Sequence, residues 1–348
     1  MIQKTSRRNL EMSVSTMFGA HPVPGSFGAI GTINPASSER LKGFLTYLVK
    51  DASTSKFTAE VVAEGIRRLE GPFSRLSIRI IATNEAIESL ANAIRPTGAE
   101  IEAQVPVTDS LNMVYIGYNT PARTLGSERR SEHLHAISEA LSSADNAQGL
   151  KSLDTTKYGI KIIDGSEREF SASDREDIFK LLSTFGYDMA GAMNVVSDES
   201  NIIGVVFDRK TSKIVSISVT ERRDIAIDGG RIMLHMAELT DAVTSDTERH
   251  NRLYPLLLND VFRHIYNEHQ EISLAYAESN VSNISLLNTA AMQWRQFNGM
   301  LPYHAAIMNP NTGELELKTM EVTSLDRDGM LKVIEEEAEQ RLREAIRT

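Results

Sequence analysis

The stretch AELTDAVTSDTERHNRLYPLLL, residues 237–258, sets two carboxylates, Glu238 and Asp241, on a strand-like segment and three cationic side chains, Arg249, His250 and Arg252, in the loop that follows. A carboxylate at a cleft can take a proton at neutral pH. A loop that feeds a helix N-terminus presents backbone N–H groups to an anion such as a diphosphate. Such loops use glycine where main chain must touch the phosphate, because a Cβ obstructs that approach. Here the places where glycine is wanted hold Arg252 and Tyr254. Three readings stay open: the arginine forks grip the diphosphate, the site is degenerate, or it takes another anion.

Period-two alternation places Glu238 and Ala242 on one face of the strand and Asp241 on the other, unless a bulge intervenes and brings both carboxylates to the cleft. Glu238 is the first candidate for a base or an amine-binding group; Glu221, and Glu278 at the end of the next strand, stand in reserve. Any of them can equally be a solvated strand-end carboxylate. Asn280 and Asn283 open the next helix, as caps or as ligand contacts, with capping the simpler reading. Trp294, the single tryptophan, reads as core or pocket wall. His133 and His135 point different ways on one helix, and His264 and His269, five apart, fit one helix face poorly, so no metal site is expected.

The elements around these residues follow from pattern. Strand-like RLKGFLTYLVK, helical TAEVVAEGIRRLE, strand RLSIRIIAT and helix NEAIESLANAIR precede two alternating strands, AEIEAQVPV and NMVYIGY. Asn84 is placed to cap the second helix, with Pro96 beyond its end. SERRSEHLHAISEALSSAD (127–145) is an amphipathic helix with Leu134, Ile137 and Leu141 on one face, and polar NAQGLKSLDTTK after it reads as a linker. Then come YGIKIID, a helix with a capping box of Ser173 and Glu176 ended by Gly186, a hairpin over NIIGVVFDRKTSKIVSISVTERR, and the long strand RIMLHMAELTDAVT. Helix LYPLLLNDVFRHIYNEH, strand EISLAYAES, helix NISLLNTAAMQWRQF and strands LPYHAAIMN and LELKTMEVTS follow. A charged last helix carries the stripe Leu331, Ile334, Ala338 and Leu342 and is expected to dock on its own domain. The expected divisions are an arm (1–26), an α/β domain (27–150), a second domain (151–325) and the last helix (326–348).

At 348 residues, 41% hydrophobic and 24% charged, the chain has the composition of a globular protein of about two domains. A net charge of −10 argues against nucleic-acid or anionic-membrane binding. The absence of cysteine excludes disulfides, thiolate catalysis and cysteine-built metal sites. No apolar run approaches the roughly 20 residues that span a bilayer, and the first residues lack an apolar secretory core, so a cytoplasmic protein is expected. There is no G-x-S-x-G elbow, H-E-x-x-H, Walker loop or G-x-G-x-x-G after a strand.

The order β-α-β-β-β-α-β-α-β-β over 158–324 resembles the GCN5-related N-acetyltransferase (GNAT) fold. Two stretches, IEAQVPVTDSLNMVYIGY (101–118) and AELTDAVTSDTERHNRLYPLLL, resemble the β-lysine N-acetyltransferase family, through its EA-x-I-P and AE-x-TD-x-x-T elements, and the likeness covers roughly 27–320. The resemblance implies an α/β (α+β) chain, a GNAT-type mixed sheet with flanking helices after a smaller N-terminal α/β half. It implies acetyl transfer from acetyl-CoA to a primary amine of a small amino-acid-like, β-lysine-type substrate, without a metal. A non-catalytic sensor or interaction protein of the same fold is the alternative, and homo-oligomerisation is left open. In this alignment Leu239, Thr240, Ala242 and Thr244 line the cofactor from the central strand, and Arg249-His250-Asn251-Arg252-Leu253-Tyr254 form the diphosphate loop. Asn280 and Asn283 approach the pantetheine arm, and Glu221, Glu278 and Trp294 the substrate. The family's acid, a tyrosine before a Gly-Phe pair, has no counterpart: Gly299-Met300 stands for the pair and Arg295 for the tyrosine. Tyr303, Tyr254 or water is left for that role.

Overall fold

The computed structural model describes residues 40–69, 74–123, 126–144, 153–164, 170–185, 187–293, 295–308 and 315–347. The expected arm, most of the linker, Gly186 and Trp294 lie outside the described residues. The chain forms two compact units, each assembled from three segments rather than divided at one point: Met1–Glu132, Ala226–Met233 and Asn298–Met320 in one, His133–Ile225, Leu234–Phe297 and Glu321–Thr348 in the other.

In the first unit, β1 (Arg40–Val49), α1 (Ala52–Arg67), β2 (Arg75–Thr83), α2 (Ile87–Ile94), β3 (Glu100–Pro106) and β4 (Leu111–Asn119) follow in sequence. The sheet order is β1-β2-β4-β3, then β10 (Gln296–Met308) and the start of β11 (Leu315–Asp326). β1 pairs parallel to β2, as a strand–helix–strand unit does, and β2, β4 and β3 pair antiparallel. Asp51 opens α1 with a capping box, accepting from the Thr54 N–H at 2.8 Å. Asn84 does not cap α2. It starts a short 3₁₀ turn and donates to the Asp109 carbonyl (2.8 Å), so the helix proper begins three residues later. Pro96 falls in a second 3₁₀ turn that extends the helix. The Arg75 guanidinium, fully buried, pairs with Glu102 and donates to Asn119 Oδ1 and the Pro302 carbonyl, each at 3.0 Å. Gly299 pairs with Ala103 so closely that a Cβ would meet the Glu102 carbonyl, which makes it a packing glycine rather than part of a Gly-Phe-like pair.

The second unit contains β5 (Tyr158–Asp164), α4 (Ala172–Leu182), α5 (Met189–Ser197), β6 (Asn201–Asp208), β7 (Ile214–Ile227) and β8 (Ile232–Thr244). These are followed by α6 (Leu253–Glu268), β9 (Leu274–Asn280), α7 (Ile284–Met292) and α8 (Arg327–Arg347), while α3 (Ser127–Ala144) begins in the first unit. The order is β11-β9-β8-β7-β6-β5. β5, β6 and β7 pair antiparallel, and β8 and β9 parallel. α4 is capped two residues earlier than expected, by Ser171 and Asp174, because the reciprocal bonds form there. α5, absent from the sequence reading, is capped by Asp188 and buries Ala192 and Val196. α7 ends at Met292, short of the QWRQF segment that had been expected to be helical.

One face of this sheet carries α6 and α8, over Ala237, Leu239, Ala275 and Ala277; the other carries α4 and α5, over Ile203, Val205, Ile217 and Val219. α8 docks on its own unit, but through Met330 and Val333 rather than the expected stripe: Ala338 and Leu342 are exposed. α3 likewise buries Ile137 and Ala140 and leaves Leu134 exposed. In α8 the buried Glu337 pairs with Arg263.

On the α6 face a polar cluster is buried. Arg295 donates to Gln293 Oε1 (2.6 Å), and Gln293 Nε2 donates to Asn259 Oδ1 (2.9 Å). Burial pushes the carboxyl of nearby Glu321 up to about 7, against the pull of Arg295. The folded state then holds a proton that the unfolded chain has already released, so stability falls as pH rises from about 4.5 to about 7. Glu321→Gln should flatten that fall and exceed the parent at alkaline pH by up to about 3 kcal/mol, read from urea unfolding across the window. Parallel pH profiles would remove this account.

Candidate functional site

β8 and β9 are registered as parallel partners from Met236–Leu274 to Leu239–Ala277, and there the pairing stops, although β8 continues to Thr244 and β9 to Asn280. Ala237 and Leu239 pack beneath α6, whereas Val243, at the same parity, packs with Ile178, Leu181 and Leu182 of α4 and with Val196 of α5. In an unbroken strand these residues would share a face. One extra residue between Leu239 and Val243 accounts for both facts, since a bulge reverses the alternation and bends the strand away from its neighbour. The main chain of Thr240, Asp241 and Ala242 therefore runs past Glu278, Ser279 and Asn280 without β pairing to them.

The bulge also settles the two carboxylates. Glu238 lies opposite Ala237 and Leu239, hence on the α4/α5 face, and Asp241 is on that face too, because Tyr187, packed on the α4/α5 cluster, donates to its Oδ2 at 3.0 Å. Glu238 Oε2 accepts from Tyr276 Oη at 2.9 Å and from Arg223 Nε at 3.1 Å, and the side chain is nearly buried. Arg223 is itself paired with Glu221. Burial raises the Asp241 carboxyl, and the charge of Glu238 raises it further, against the Tyr187 hydrogen bond. The Tyr187 hydroxyl is also raised, by burial and then by Asp241. The result is one carboxylate that accepts hydrogen bonds beside a carboxyl whose surroundings favour the proton. Tyr276, Arg223 and Tyr187 escaped the sequence reading; Tyr276 stands opposite Glu238 in the β8–β9 register, which only the structure sets.

Residues 246–251 form a 3₁₀ turn, and Arg252 enters α6 with φ 53° and ψ 33°. That is the left-handed conformation glycine adopts at low cost, so the loop keeps a glycine-type backbone while carrying arginine. Glu248 fastens the loop to the start of β5: it accepts from the Tyr158 hydroxyl and pairs with Lys157 (3.2 Å), and Asn251 Nδ2 donates to Tyr158 Oη (3.0 Å). Arg249, His250 and Arg252 are exposed. Arg249 pairs with Asp246 (2.7 Å), and its Nε meets the Thr244 carbonyl (3.5 Å). Leu253 is buried and Tyr254 half-buried. Pro255 stands third in α6, so the first-turn donors are Leu253, Tyr254 and Leu256.

The remaining candidates are placed as follows. Leu239 is buried, Thr240 Oγ1 donates to the Val219 carbonyl (3.3 Å), Thr244 Oγ1 meets Ser216 Oγ (2.8 Å), and Ala242 is half-buried. Asn283 caps α7 by accepting from Leu286 N–H (3.3 Å), and Asn280 closes the turn before it, so both do the local work that capping requires. Tyr303 belongs to the first unit, with φ 48°, its hydroxyl accepting from Arg129 (3.1 Å) and its carbonyl from Arg123 (3.0 Å). Trp294 lies outside the described residues. His264 and His269, which spacing had separated, come together: α6 ends at Glu268, His269 turns out of the helix, and both rings reach Asp164.

No family model matches the sequence, and no curated protein matches it. Among solved structures, Arabidopsis thaliana NAA60 in complex with acetyl-CoA is similar at 11% identity over 49% of this chain and 98% of that one, with a TM-score of 0.39. Mutant forms of the spermidine/spermine N-acetyltransferase SpeG from Vibrio cholerae are similar at 11% identity over 51% and 98%, TM-score 0.38. Ard1 from Thermoplasma volcanium is similar at 14% identity over 48% and 97%, TM-score 0.35. At these scores none of them assigns an activity or substrate to this chain. Among the described residues no helix is long and apolar enough to cross a membrane.

The left-handed Arg252 carries its own consequence. Relief of the Cβ clash is worth roughly 1–2 kcal/mol, and the added freedom of unfolded glycine returns roughly half of that. Arg252→Gly should therefore raise stability by about 0.5–1 kcal/mol in urea unfolding. A loss of stability would show that the loop is built around the arginine side chain.

Proposed function

We propose that the second unit is a GNAT-type N-acyltransferase that moves an acetyl group from acetyl-CoA to a primary amine. The observation that carries this reading is the end of β8–β9 pairing one residue beyond Glu238, which sets unpaired strand main chain beside a carboxylate and ahead of a helix N-terminus. A pantetheine arm is an extended chain of amides, and the run Thr240–Ala242 is where strand-like hydrogen bonds are left to receive it. The diphosphate would then meet the Leu253, Tyr254 and Leu256 N–H groups at the start of α6, with Arg249 and Arg252 swinging in as forks.

In the proposed reaction a lysine-type ammonium, with a free pKa near 10.4, gives its proton to Glu238. The neutral nitrogen attacks the thioester carbonyl, and N–H groups of the bulged segment stabilise the oxyanion. On collapse, the C–S bond breaks and the thiolate takes a proton from Asp241, the carboxyl that burial and Glu238 favour in its protonated form. The new amide nitrogen returns its extra proton to the Asp241 carboxylate, while Glu238 gives its own to solvent. Two carboxyls whose environments differ in this way suit opposite proton-transfer roles. Asp241 is preferred as the acid to Tyr303, Tyr254 or water because the same segment carries it and Glu238. Arg223 and Tyr276 are positioning residues that hold Glu238. The acceptor is proposed to be small and amino-acid-like, of the β-lysine type, on the strength of the two stretches that resemble that family.

A second reading, a binding protein of this fold without turnover, is favoured by one observation: Arg249 is exposed and already paired with Asp246, with no glycine in the loop. Calorimetric titration with acetyl-CoA separates the two. Micromolar binding, weakened by Arg249→Ala and Arg252→Ala, supports the transferase; silence at millimolar cofactor supports the alternative. In amine-dependent turnover Glu238→Gln should lower kcat about a hundredfold or more, with cofactor affinity kept. An unchanged rate would remove Glu238 as the base.

A further inference from the structure

We propose that Asp164, His264 and His269 form a binding site for one divalent transition-metal ion of the zinc class. Asp164 is the last residue of β5, paired with Ile202; His264 lies on α6, and His269 follows that helix's end. Both imidazoles direct Nε2 at the same oxygen, Asp164 Oδ2, at 3.1 Å for His264 and 2.5 Å for His269. The three ligand atoms lie within 4.8 Å of one another. An ion held at about 2.1 Å from each ligand in a tetrahedral set spaces them about 3.4 Å apart, so the widest pair need close by no more than about 1.4 Å. Two imidazole nitrogens and one carboxylate oxygen are a zinc-type donor set, with a fourth position left to water.

The surroundings are those of a ligand set held in place. His269 Nδ1 faces Glu271 Oε1 at 3.3 Å, the carboxylate–histidine arrangement that fixes the tautomer leaving Nε2 to the ion. Arg327 holds the backbone around it, donating to the carbonyls of Tyr266 (2.7 Å), His269 and Ile272 (both 3.1 Å). Asp164 Oδ1 is buried without a hydrogen-bond partner among the described residues. The adjacent cation, Arg222, stays 3.8 Å from it and gives its N–H groups to the carbonyls of Glu199 (2.5 Å) and Ser200 (3.2 Å). An open depression of about 350 Å³, lined by Ile160, Ile162 and Arg263 among others, has His264 in its wall. The site departs from the metal-free expectation drawn from sequence and does not depend on the acyl-transfer reading.

The test is a titration of the metal-free chain with Co²⁺. A visible d–d absorption should saturate at one equivalent and be bleached by one equivalent of Zn²⁺. His264→Ala and Asp164→Asn should each weaken Co²⁺ binding by about a hundredfold, and Glu271→Gln, which touches no ion, by about tenfold. Circular dichroism of the metal-free variants checks folding, and the exposed Glu271 keeps the test decisive should a ligand variant unfold. Absence of the band at millimolar Co²⁺, or a band untouched in His264→Ala and Glu271→Gln, overturns the site and leaves a hydrogen-bonded His–Asp–His cluster.

Discussion

β8 and β9 cannot stay paired beyond Leu239 and Ala277, and much of the second unit is arranged around that break. An added residue in β8 turns Val243 to the face that Leu239 had left. A strand that changes face also bends, so its hydrogen-bonding edge parts from the neighbour it had followed. Inner strands seldom leave main-chain donors and acceptors without β partners, because buried unpaired groups are costly. Where they do, the groups face water or a ligand.

The carboxylates depend on the same residue of slippage. Without it, Asp241 would point beneath α6, among Leu258, Val261 and Phe262, where a carboxyl finds no partner. With it, Asp241 meets Tyr187 and comes under the field of Glu238, which Arg223 and Tyr276 hold. Burial, and the charge of Glu238, thereby favour the proton on Asp241. That preference arises from burial and charge, and side-chain identity alone would not produce it.

The loop before α6 shows a different compromise. Its backbone at Arg252 is that of a glycine, while its side chains are cationic and exposed. Glu248, reaching Tyr158 on β5 and Lys157 just before it, ties the turn to the sheet, so the strain at one residue is held by contacts elsewhere. The end of α6 is tied just as firmly by Arg327, which is what brings His269 round to Asp164. Both termini of one helix thus carry polar chemistry, while its middle supplies apolar packing.

Pattern in the sequence was enough for the long strands, the hairpin of β6 and β7 and the helix after the cationic loop, because alternation and apolar stripes are local properties of a chain that must bury one face; for the last helix it marked the element but not the face that docks. It was enough, too, to mark Glu238 and Asp241 as a pair whose value depended on a bulge. Whether that bulge exists is decided by which helices lie on each side of the sheet, and no window of residues contains that information. The meeting of His264, His269 and Asp164 was a tertiary outcome of the same kind, whereas the cap of α4 at Ser171 is a local box that lies two residues before the expected one. A five-residue spacing separates two histidines only while the helix continues, and α6 stops at Glu268, with Arg327 on the Tyr266 carbonyl of its last turn.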